Sequence, residues 1–539
     1  MKEIVDQRRR NLLKYAGIST ALATCPTIVG AKSSGFGNKP SVGFHPDVEI
    51  RLTLKPGQTA ILKGAKTRIW KITGKVVKGP QTSIENHPGY LGPTIRLRKG
   101  QKVRIHLENN LLSQSILHWH GLHVPANMDG NPINAIAKGE TYVYEFEVLN
   151  RAGTYWYHSH THRYTGLQVY RGLAGLMLVS DDEEQSLGLP SGEFDIALVI
   201  QDRTFDKYNQ LVYVNHMMQR MRGFLGEQIL VNGYPDFVLP VASRAYRLRL
   251  LNGSNSRIYK LAWNDGTPMT VIGVDGGLLE RPEQFSYIML APAQRREIWI
   301  DFSKRRVGSE LTLLNTAFNA GMNGGVMHGR MRQGMMGGGS MMQRRMGMAG
   351  MRGGMMHNNV LPLGKEYPVF KIRITKNVKE NAQLPERLST IASMKVADAD
   401  NVGNPNIITL SMRHMSALLN GRTYKMNDIK ADEMIPLNSS QLIEFDNNMH
   451  GMMSMPHPMH LHGEQFQIIK RESNPIAKTE YDTVSSGFVD AGLHDTVMVM
   501  PGEKVTVLKP FNDYKGLFMY HCHNLEHEDL GMMRDFRIR

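Results

Sequence analysis

Hydrophobic and polar residues alternate with a period of two in many short runs of this chain, from about residue 45 to its end. Because successive side chains of a β-strand point to opposite faces of a sheet, this period predicts strands with one buried face. Clear examples are the runs 95–98, 103–107, 142–148, 246–251, 297–300 and 504–508. Glycine, proline and asparagine separate the runs, as expected for turns. The pattern predicts an all-β protein.

A loose internal repeat divides these runs into three parts. A strand, a tight turn and a charge-bearing second strand recur about two hundred residues apart, with the turns at Lys99-Gly100, Pro292 and Pro501-Gly502. The repeat predicts three similar domains in series, each a β-sandwich or barrel. We expect these domains to span residues 45–185, 186–378 and 379–539.

The segment of residues 320–359 differs from the rest of the chain, because it consists mostly of methionine, glycine and arginine. So much glycine makes ordering entropically costly, and we therefore expect a mobile loop. It lies between predicted strands at 311–317 and 367–374, which indicates a hairpin insertion in the second domain. Flexible thioethers suit Cu(I), a soft ion. A low-complexity linker without metal is the alternative.

The formal net charge is +15, and the basic residues are spread along the chain except for clusters at the N-terminus and in the methionine-rich segment. The sequence contains no basic stripe interleaved with aromatic residues and no groove-reading motif. We therefore expect no nucleic-acid partner.

The N-terminus has the features of a signal for export to the periplasm. Arg9-Arg10 and the four residues after them resemble the twin-arginine pattern, and an apolar run follows at 15–29. We expect residues 1–31 to be the signal peptide. The run is too short for a good membrane span, and the threonine before Cys25 disfavours a lipid anchor there. No later segment resembles a transmembrane helix.

The chain has two cysteines, Cys25 and Cys522. Because Cys25 would leave with the signal peptide, the exported chain could form no internal disulfide. A single thiol is a liability in an oxidising compartment unless a metal occupies it. This argument favours Cys522 as a metal ligand.

Cys522 lies in the densest group of candidate ligands in the chain. His521 and His523 flank it, and His527 and Met532 follow. On a strand, Cys522 points to one face while both flanking histidines point to the other, so one short strand can serve two metal sites. A thiolate with imidazoles and a weak axial thioether is the ligand set of an electron-transfer copper centre.

Three further patches contain histidines two residues apart. They are His118-Trp119-His120, His158-Ser159-His160, and the patch with His457, His460 and His462. Residues two apart lie on one face of a strand and can direct two imidazoles at one metal cluster. The patches lie toward opposite ends of the chain, so we expect the cluster where the first and third domains meet.

In residue types, spacing and order, the four patches resemble the copper-ligand motifs of the multicopper oxidases. The resemblance covers nearly all of the chain after the signal peptide. It implies three cupredoxin-like domains, four copper ions and O2 as the electron acceptor. One ion would lie in the third domain, and three would form a cluster between the first and third domains.

The resemblance also implies which residues bind each ion. The type 1 copper would have His457, Cys522, His527 and the axial Met532; the type 2 copper His118 and His460; one type 3 copper His120, His158 and His523; and the other His160, His462 and His521. Some members of the family carry leucine or phenylalanine in place of Met532. An axial thioether should lower the potential relative to those members.

Two carboxylates match acids that the family places near the cluster. Asp129 would lie near the type 2 copper, and Glu528 would relay protons. Four protons must reach a buried site when O2 is reduced to water. Asp529 is a weaker candidate.

Other histidines fall outside the matched positions. They include His123, His162, His450 and His494, and we expect structural or supporting roles for the first two. His328 and His357 lie within the methionine-rich segment and could assist metal capture.

The electron donor is less determined than the acceptor. Two groups of methionines favour Cu(I), namely Met335, Met336, Met341 and Met342 in the methionine-rich segment, and Met449, Met452, Met453 and Met455 near His457. We expect an exposed edge of His457 to receive the electron.

The chain most resembles the bacterial copper-efflux oxidases, which are exported by the twin-arginine route and rich in methionine. They carry an aspartate near the place of Met453, so sulfur would dominate the substrate site here.

The leading hypothesis is a monomeric periplasmic oxidase that detoxifies copper by converting Cu(I) to Cu(II). A laccase-like oxidase of phenols or aromatic amines is the first alternative, and oxidation of manganese or iron is another. A copper-storage or chaperone protein is the non-enzymatic alternative. Storage, however, needs no covalent link between metal sites.

Overall fold

A computed structural model describes residues 37–320, 361–379, 382–413, 415–447 and 455–539. Their strands form six sheets, which lie in three consecutive pairs along the chain. The few helices are short, so the all-β prediction is confirmed. Within the described ranges, no helix combines the length and apolar character needed to cross a membrane.

The first sheet pair contains the strands Val48–Thr59 (β1), Thr67–Lys78 (β2), Ile84–Glu85 (β3), Thr94–Arg98 (β4), Lys102–Asn109 (β5), Leu117–His120 (β6), Thr141–Glu147 (β7), Gly153–Ser159 (β8) and Ala174–Ser180 (β9). One sheet has the order β2-β1-β5-β7 and the other β3-β4-β9-β8-β6. Strand β5 shows the predicted alternation, because Val103, Ile105 and Leu107 are buried and their neighbours are partly exposed.

The second sheet pair contains the strands Asp195–Phe205 (β10), Leu211–Val212 (β11), Gln228–Val231 (β12), Val238–Ala242 (β13), Ala245–Asn252 (β14), Tyr259–Trp263 (β15), Met269–Val274 (β16), Gly277–Phe285 (β17), Ile288–Leu290 (β18), Arg295–Asp301 (β19), Glu310–Asn315 (β20) and Tyr367–Lys376 (β21). The sheets have the orders β11-β10-β14-β19-β16-β17, with β12 on β10, and β13-β21-β20-β15-β18. Strands β20 and β21 pair antiparallel. The methionine-rich segment thus connects two neighbouring strands, as predicted.

The third sheet pair contains the strands Asn406–Arg413 (β22), Ser416–Leu419 (β23), Met434–Ile435 (β24), Ser439–Asp446 (β25), His457–Leu461 (β26), Gln467–Ser473 (β27), Thr496–Val499 (β28), Glu503–Phe511 (β29), Gly516–Cys522 (β30) and Met533–Ile538 (β31). The sheets have the orders β23-β22-β25-β29-β27 and β24-β31-β30-β26-β28. Each sheet pair encloses a hydrophobic core of its own. The predicted domain limits stay predictions, and the predicted signal peptide lies outside the described residues.

The helices lie between the strands. Among the described residues, the α-helices are Thr165–Tyr170 (α1), Asp182–Ser186 (α2), Met217–Arg222 (α3), Lys478–Asp482 (α4) and Leu525–Asp529 (α5). The 3-10 helices are Gln81–Ser83, Ala126–Met128, Pro132–Asn134, Gly192–Phe194, Val396–Asp398, Ala431–Glu433, Pro475–Ala477 and Ser485–Gly487. Helix α5 follows β30 directly and contacts both α1 and α3.

Candidate metal centres

Four strands carry the histidine patches, and they form two antiparallel pairs. In the first sheet pair β6 lies beside β8, which places His118 opposite His158. In the third sheet pair β26 lies beside β30, which places His460 opposite His521. Each patch therefore faces a second patch across one ladder of hydrogen bonds.

The two strand pairs meet, so that histidines from opposite ends of the chain converge. The buried groups with ligand atoms within 4.8 Å of one another include His118 with His460 and His462, His120 with His158 and His523, and His160 with His462 and His521. The Nε2 atoms of His118 and His460, 342 residues apart, are separated by 3.4 Å. The predicted meeting of the first and third domains at a histidine cluster is thus present in the structure.

The histidines of this cluster differ in the ring nitrogen that faces its centre. His120 presents Nδ1, which lies 3.4 Å from Nε2 of His158. The other seven histidines present Nε2; they are His118, His158, His160, His460, His462, His521 and His523. Neutral imidazole can bind a metal through either nitrogen, and the hydrogen bond at the other nitrogen selects which one.

Hydrogen bonds on the outer side of the cluster fix several of these rings. Nδ1 of His118 donates to the backbone oxygen of Asp129 at 2.6 Å, and Nδ1 of His460 donates to the backbone oxygen of Asp495 at 2.7 Å. Nδ1 of His462 lies 2.6 Å from Oδ2 of Asp129. Because these Nδ1 atoms carry the proton, the lone pair lies on Nε2 and points into the cluster.

Burial favours the uncharged form of seven of the cluster histidines. Burial and mutual repulsion lower the pKa well below its ordinary value in His120, His158, His160, His460, His521 and His523. Burial and the nearby His118 lower the pKa of His462 to about 4. Metal ions bind the neutral form of imidazole, so the site is ready for metal at neutral pH.

A second group surrounds Cys522 and lies within the core of the third sheet pair. The Sγ atom of Cys522 is 3.5 Å from Nδ1 of His457 and 3.7 Å from Nδ1 of His527. Met532 belongs to the same buried core. Burial raises the pKa of the Cys522 thiol. A bound cation would reverse this effect, because a metal deprotonates the thiol that coordinates it.

One helical turn brings the residues of the Cys522 group together. The side chain of Asn524 accepts a hydrogen bond from the backbone of His527 and so begins helix α5. The turn returns His527 toward Cys522, and the backbone nitrogen of Met532 then donates to the oxygen of His527 at 2.9 Å. This local geometry explains the spacing of four residues between Cys522, His527 and Met532.

Strand β30 connects the two groups as the alternation predicts. Cys522 faces His457 and His527, whereas Nε2 of His521 lies 3.2 Å from Nε2 of His160 in the cluster. Imidazole, thiolate and thioether donors fit copper. Nε2 of His462 is buried and has no hydrogen-bond partner among the described residues. A buried nitrogen without a hydrogen-bond partner is expected where that nitrogen is a metal ligand.

Comparison with known proteins agrees with this donor set. The sequence profile described as multicopper oxidase matches residues 66–184 and 395–539. The multicopper oxidase mco of Staphylococcus aureus is 30% identical over 460 residues, which cover 85% of this chain and 85% of that protein. The chain belongs to the multicopper oxidase family.

The structure of this multicopper oxidase resembles that of McoA, a multicopper oxidase from the hyperthermophile Aquifex aeolicus. The TM-score is 0.72 at 33% identity, covering 92% of this chain and 97% of McoA. A laccase from Bacillus stratosphericus is 30% identical over 512 residues, with 85% and 91% of the two chains covered. Cell division protein FtsP of Escherichia coli is 33% identical over 313 residues, covering 57% of this chain and 62% of FtsP. The chain is thus a copper-dependent oxidoreductase whose donor these relatives leave open.

The two carboxylates predicted beside the cluster of this multicopper oxidase both contact it. Oδ1 of Asp129 lies 3.3 Å from Nδ1 of His118, in addition to the contact with His462. Oε2 of Glu528 lies 3.2 Å from Nδ1 of His521, and its Oε1 lies 3.8 Å from Nδ1 of His160.

The electrostatic environments of these two carboxylates differ. Burial alone would raise the pKa of Asp129, but His462 and His118 hold it below the ordinary value. Burial and the nearby Asp529 raise the pKa of Glu528 well above its ordinary value. The raised pKa favours the protonated form of Glu528, which can donate a proton, whereas the lowered pKa favours an ionised Asp129 that orients imidazoles.

Asp495 is a site residue that the sequence analysis did not identify. Its Oδ1 lies 2.9 Å from Nε2 of His120, and Thr496 Oγ1 lies 3.2 Å from the same nitrogen. The signal available in the sequence was an aspartate immediately before the apolar strand β28. A single acid beside a strand is too common to identify a site, so only the fold reveals it.

Three histidines without a matched position lie outside the metal groups. His123 pairs with Asp513 at 3.1 Å. The ring centroid of His162 is 5.1 Å from that of Tyr424. His494 lies 3.4 Å from Asp275. His328, His357 and His450 lie outside the described residues.

The substrate methionines are mostly outside the described residues, namely Met335, Met336, Met341, Met342, Met449, Met452 and Met453. Met455 is described and buried. The expectation of an exposed His457 edge is wrong, because this side chain is only 2% exposed. The surrounding chain packs over the ring, which a local sequence pattern does not predict.

Copper-free protein is expected to lose stability as the pH falls from 6.5 to 4. Burial lowers the pKa of His462 and His527 from 6.5 to about 4. Such histidines stabilise the fold above pH 6.5, and this contribution is lost as the pH falls through 4. The difference corresponds to about 3 kcal/mol per histidine. Urea unfolding midpoints between pH 7 and 4 measure it.

Copper-loaded protein is the control for this prediction. Because copper competes with protons for the same nitrogens, the loaded protein should keep its stability to lower pH. Identical pH profiles for the two forms would contradict the assignment of these histidines as ligands.

Proposed function

We propose that this multicopper oxidase oxidises Cu(I) to Cu(II) in the periplasm and so detoxifies copper. Four Cu(I) ions, one O2 molecule and four protons would give four Cu(II) ions and two water molecules. The twin-arginine pattern at Arg9-Arg10 supports export to the periplasm. Methionines near the Cys522 group support Cu(I) as the donor.

We further propose four resident copper ions with the ligands that the family resemblance implies. A type 1 ion would have His457, Cys522, His527 and Met532; a type 2 ion His118 and His460; and two type 3 ions His120, His158 and His523, and His160, His462 and His521. When bound, these ions would supply one-electron acceptance at Cys522 and four-electron reduction of O2 at the histidine cluster. Cys522 itself would connect the two sites, since His521 and His523 are its neighbours in the chain.

The observation that carries the Cu(I) proposal is the group of four methionines in the buried core that contains Cys522. Met221, Met412, Met459 and Met532 belong to the same buried core as this cysteine. Met459 lies directly opposite Cys522 in the ladder of β26 and β30. Thioethers are soft ligands and favour Cu(I) over harder ions.

Helix α3 adds methionines at the surface beside the Cys522 group. Nε2 of His527 donates to the backbone oxygen of Met221 at 3.1 Å. Met217 and Met218 of the same helix are exposed. The sequence analysis did not single out these residues, although the run of His216, Met217 and Met218 was visible. They offer soft ligands near His527 that a Cu(I) ion can reach from solvent.

Burial of both imidazoles argues against direct contact with a bulky donor. His457 is 2% exposed, and His527 is fully buried behind helix α3. A phenol would have to displace this helix before it touched the ring of His527. A small soft ion held by the methionines of the helix needs no such displacement.

Laccase-like oxidation is the second candidate, and one cavity favours it. A cavity of about 930 Å³ adjoins helix α3 and is lined by Phe318, Leu363, Arg222 and Lys365 among others. Its size suits a drug-sized organic molecule. The apolar and cationic lining suits an aromatic anion such as a phenolate.

An assay of O2 uptake with Cu(I) and with a bulky phenol distinguishes the candidates. The test variant is Met217→Leu, which keeps side-chain size and removes sulfur, whereas Met218 stays in place because it lines the cavity considered for a phenol. We expect the KM for Cu(I) to rise about tenfold, equivalent to 1.4 kcal/mol, and phenol turnover to stay unchanged. The matched control Met426→Leu replaces a half-exposed methionine that is not on helix α3.

Each alternative has its own outcome in this assay. Rapid phenol oxidation without O2 uptake on Cu(I) would establish a laccase-like enzyme and overturn the proposal. Bound copper without O2 uptake for any donor would indicate the storage or chaperone protein. Deletion of residues 320–359 in the same assay measures whether the methionine-rich segment contributes to Cu(I) oxidation.

A further inference from the structure

The second sheet pair supplies none of the proposed copper ligands, yet one of its arginines reaches the histidine cluster. Arg295, at the start of β19, is fully buried. It binds Asp495 of the third sheet pair through two parallel hydrogen bonds, Nη1 to Oδ1 at 2.8 Å and Nη2 to Oδ2 at 2.5 Å. Paired bonds of this kind fix both the distance and the plane of the carboxylate.

Backbone oxygens hold the guanidinium of Arg295 in place on its other sides. Nε donates to Thr154 at 2.8 Å, Nη1 to Ala293 at 3.0 Å and Nη2 to Asp275 at 2.8 Å. Thr154 lies in the first sheet pair, so this arginine contacts all three sheet pairs. With all five N–H groups engaged, the side chain has one orientation.

Asp495 transmits this orientation to His120. Its Oδ1 lies 2.9 Å from Nε2 of His120, and Thr496 Oγ1, which donates to the same Oδ1 at 2.9 Å, lies near both. An ionised carboxylate accepts hydrogen bonds only, so Nε2 of His120 carries the proton. This explains why His120 presents Nδ1 to the cluster while seven other histidines present Nε2.

Gly121, directly after His120, shows how closely these groups pack. Its φ is +88°, a conformation that favours glycine. A Cβ atom at this position would lie 2.5 Å from Oδ2 of Asp495 and 2.9 Å from Nη2 of Arg295. The glycine thus leaves the space that the paired arginine and aspartate occupy.

We propose that Arg295 is a positioning residue of the histidine cluster, which orients Asp495 so that His120 offers Nδ1 to copper. Through Arg295, the second sheet pair then fixes the orientation of a ligand in the first sheet pair by way of an aspartate in the third. The proposal rests on His120 being a copper ligand and is independent of whether the donor is Cu(I) or a phenol.

The competing interpretation is that Arg295 only links the sheet pairs. Stability alone does not separate the two, because a buried ion pair can contribute little to stability while loss of one partner leaves a costly charge. The test therefore needs readouts at the copper cluster as well as an unfolding temperature.

The test compares copper-loaded Arg295→Met with Arg257→Met. Arg257 is the matched control, because it is also fully buried in the second sheet pair and binds a buried acid, Asp202, at 2.7 Å. Both variants leave a carboxylate without its partner. The readouts are copper content, the fraction of copper silent in electron paramagnetic resonance, the kcat and KM for the donor, and the unfolding temperature.

We expect Arg295→Met to lose most of the silent copper and to lower kcat about 10- to 100-fold, the range for residues that support metal ligands. The donor KM and the blue absorption should stay unchanged. Arg257→Met should lower only the unfolding temperature. Arg295→Lys should recover little, since lysine cannot form the paired bonds.

A second variant, Arg295→Met/Asp495→Asn, tests the proposal if the single variant does not fold. It leaves no unpaired charge, and the asparagine oxygen can still accept from His120. We expect its unfolding temperature to recover and its silent copper to remain low. Wild-type silent copper and kcat in the folded arginine variants would overturn the positioning role. Absence of silent copper in the wild type would instead overturn the cluster assignment itself.

Discussion

Substitution of Cys522 by serine is expected to abolish the blue absorption and the O2 consumption of the copper-loaded protein together. Cys522 is the one free cysteine among the described residues, and it is fully buried. A hydroxyl neither forms the copper–thiolate bond nor favours the soft ion. The loss of kcat should exceed about 100-fold, the upper range for residues that only support ligands. Visible spectra and an oxygen electrode measure both effects.

The matched control for Cys522→Ser is Met532→Leu in the same core. It removes the proposed axial thioether and keeps the two histidines and the thiolate. We expect this variant to stay blue and active, with a higher reduction potential, because a weak axial ligand tunes the potential without forming the site. A blue Cys522→Ser protein, or one that keeps a substantial part of its turnover, would refute the type 1 assignment.

Glu528→Gln is expected to slow O2 reduction by about 100-fold, the lower range for loss of a general acid. Burial raises the pKa of Glu528 well above its ordinary value, and its carboxyl contacts His521 and His160. Glutamine keeps the shape of the side chain and removes the acidic proton. O2 uptake at saturating donor should fall, while anaerobic bleaching of the blue colour by the donor should keep its rate.

Glu526→Gln is the matched control on the same helix. Glu526 is also a buried acid, but it accepts from Tyr213, the backbone of Phe224 and Asn255. It therefore serves a structural role, and its substitution should lower the unfolding temperature without slowing O2 reduction selectively. Equal loss of O2 reduction in both variants would contradict a specific role of Glu528 in proton supply.

Many of the strands could be predicted from the sequence. A strand that buries one face alternates hydrophobic and polar residues, and this alternation is visible within a few neighbouring residues. The predicted runs 103–107 and 504–508 lie within β5 and β29, respectively. The predicted strands on either side of the methionine-rich segment pair as β20 and β21. The pairing of strands that are distant in the chain cannot be read from one strand. The sequence therefore did not predict the order of the strands in the six sheets.

The candidate metal ligands were visible in the sequence because each patch is local and its geometry follows from strand alternation. Cys522 and His521 point to opposite faces for this reason. Asp129 and Glu528 were found only through the family motifs. Nothing in the spacing of a single acid distinguishes it from a surface carboxylate.

Other features of the site depend on contacts between distant residues. Arg295 and Asp495 are 200 residues apart and belong to different sheet pairs. The contact between Met221 of helix α3 and His527 likewise joins residues that are 306 positions apart. No periodic pattern reports such packing.

By itself, the sequence determined the all-β architecture, the donor atoms available and the link through Cys522 between two candidate sites. These properties follow from the types of residue and from their spacing within individual strands. Only the tertiary structure decided that seven histidines offer Nε2 and His120 offers Nδ1, and that helix α3 covers His527. Ring orientation and access depend on hydrogen bonds and packing supplied by other sheets, and those neighbours meet only when the chain has folded.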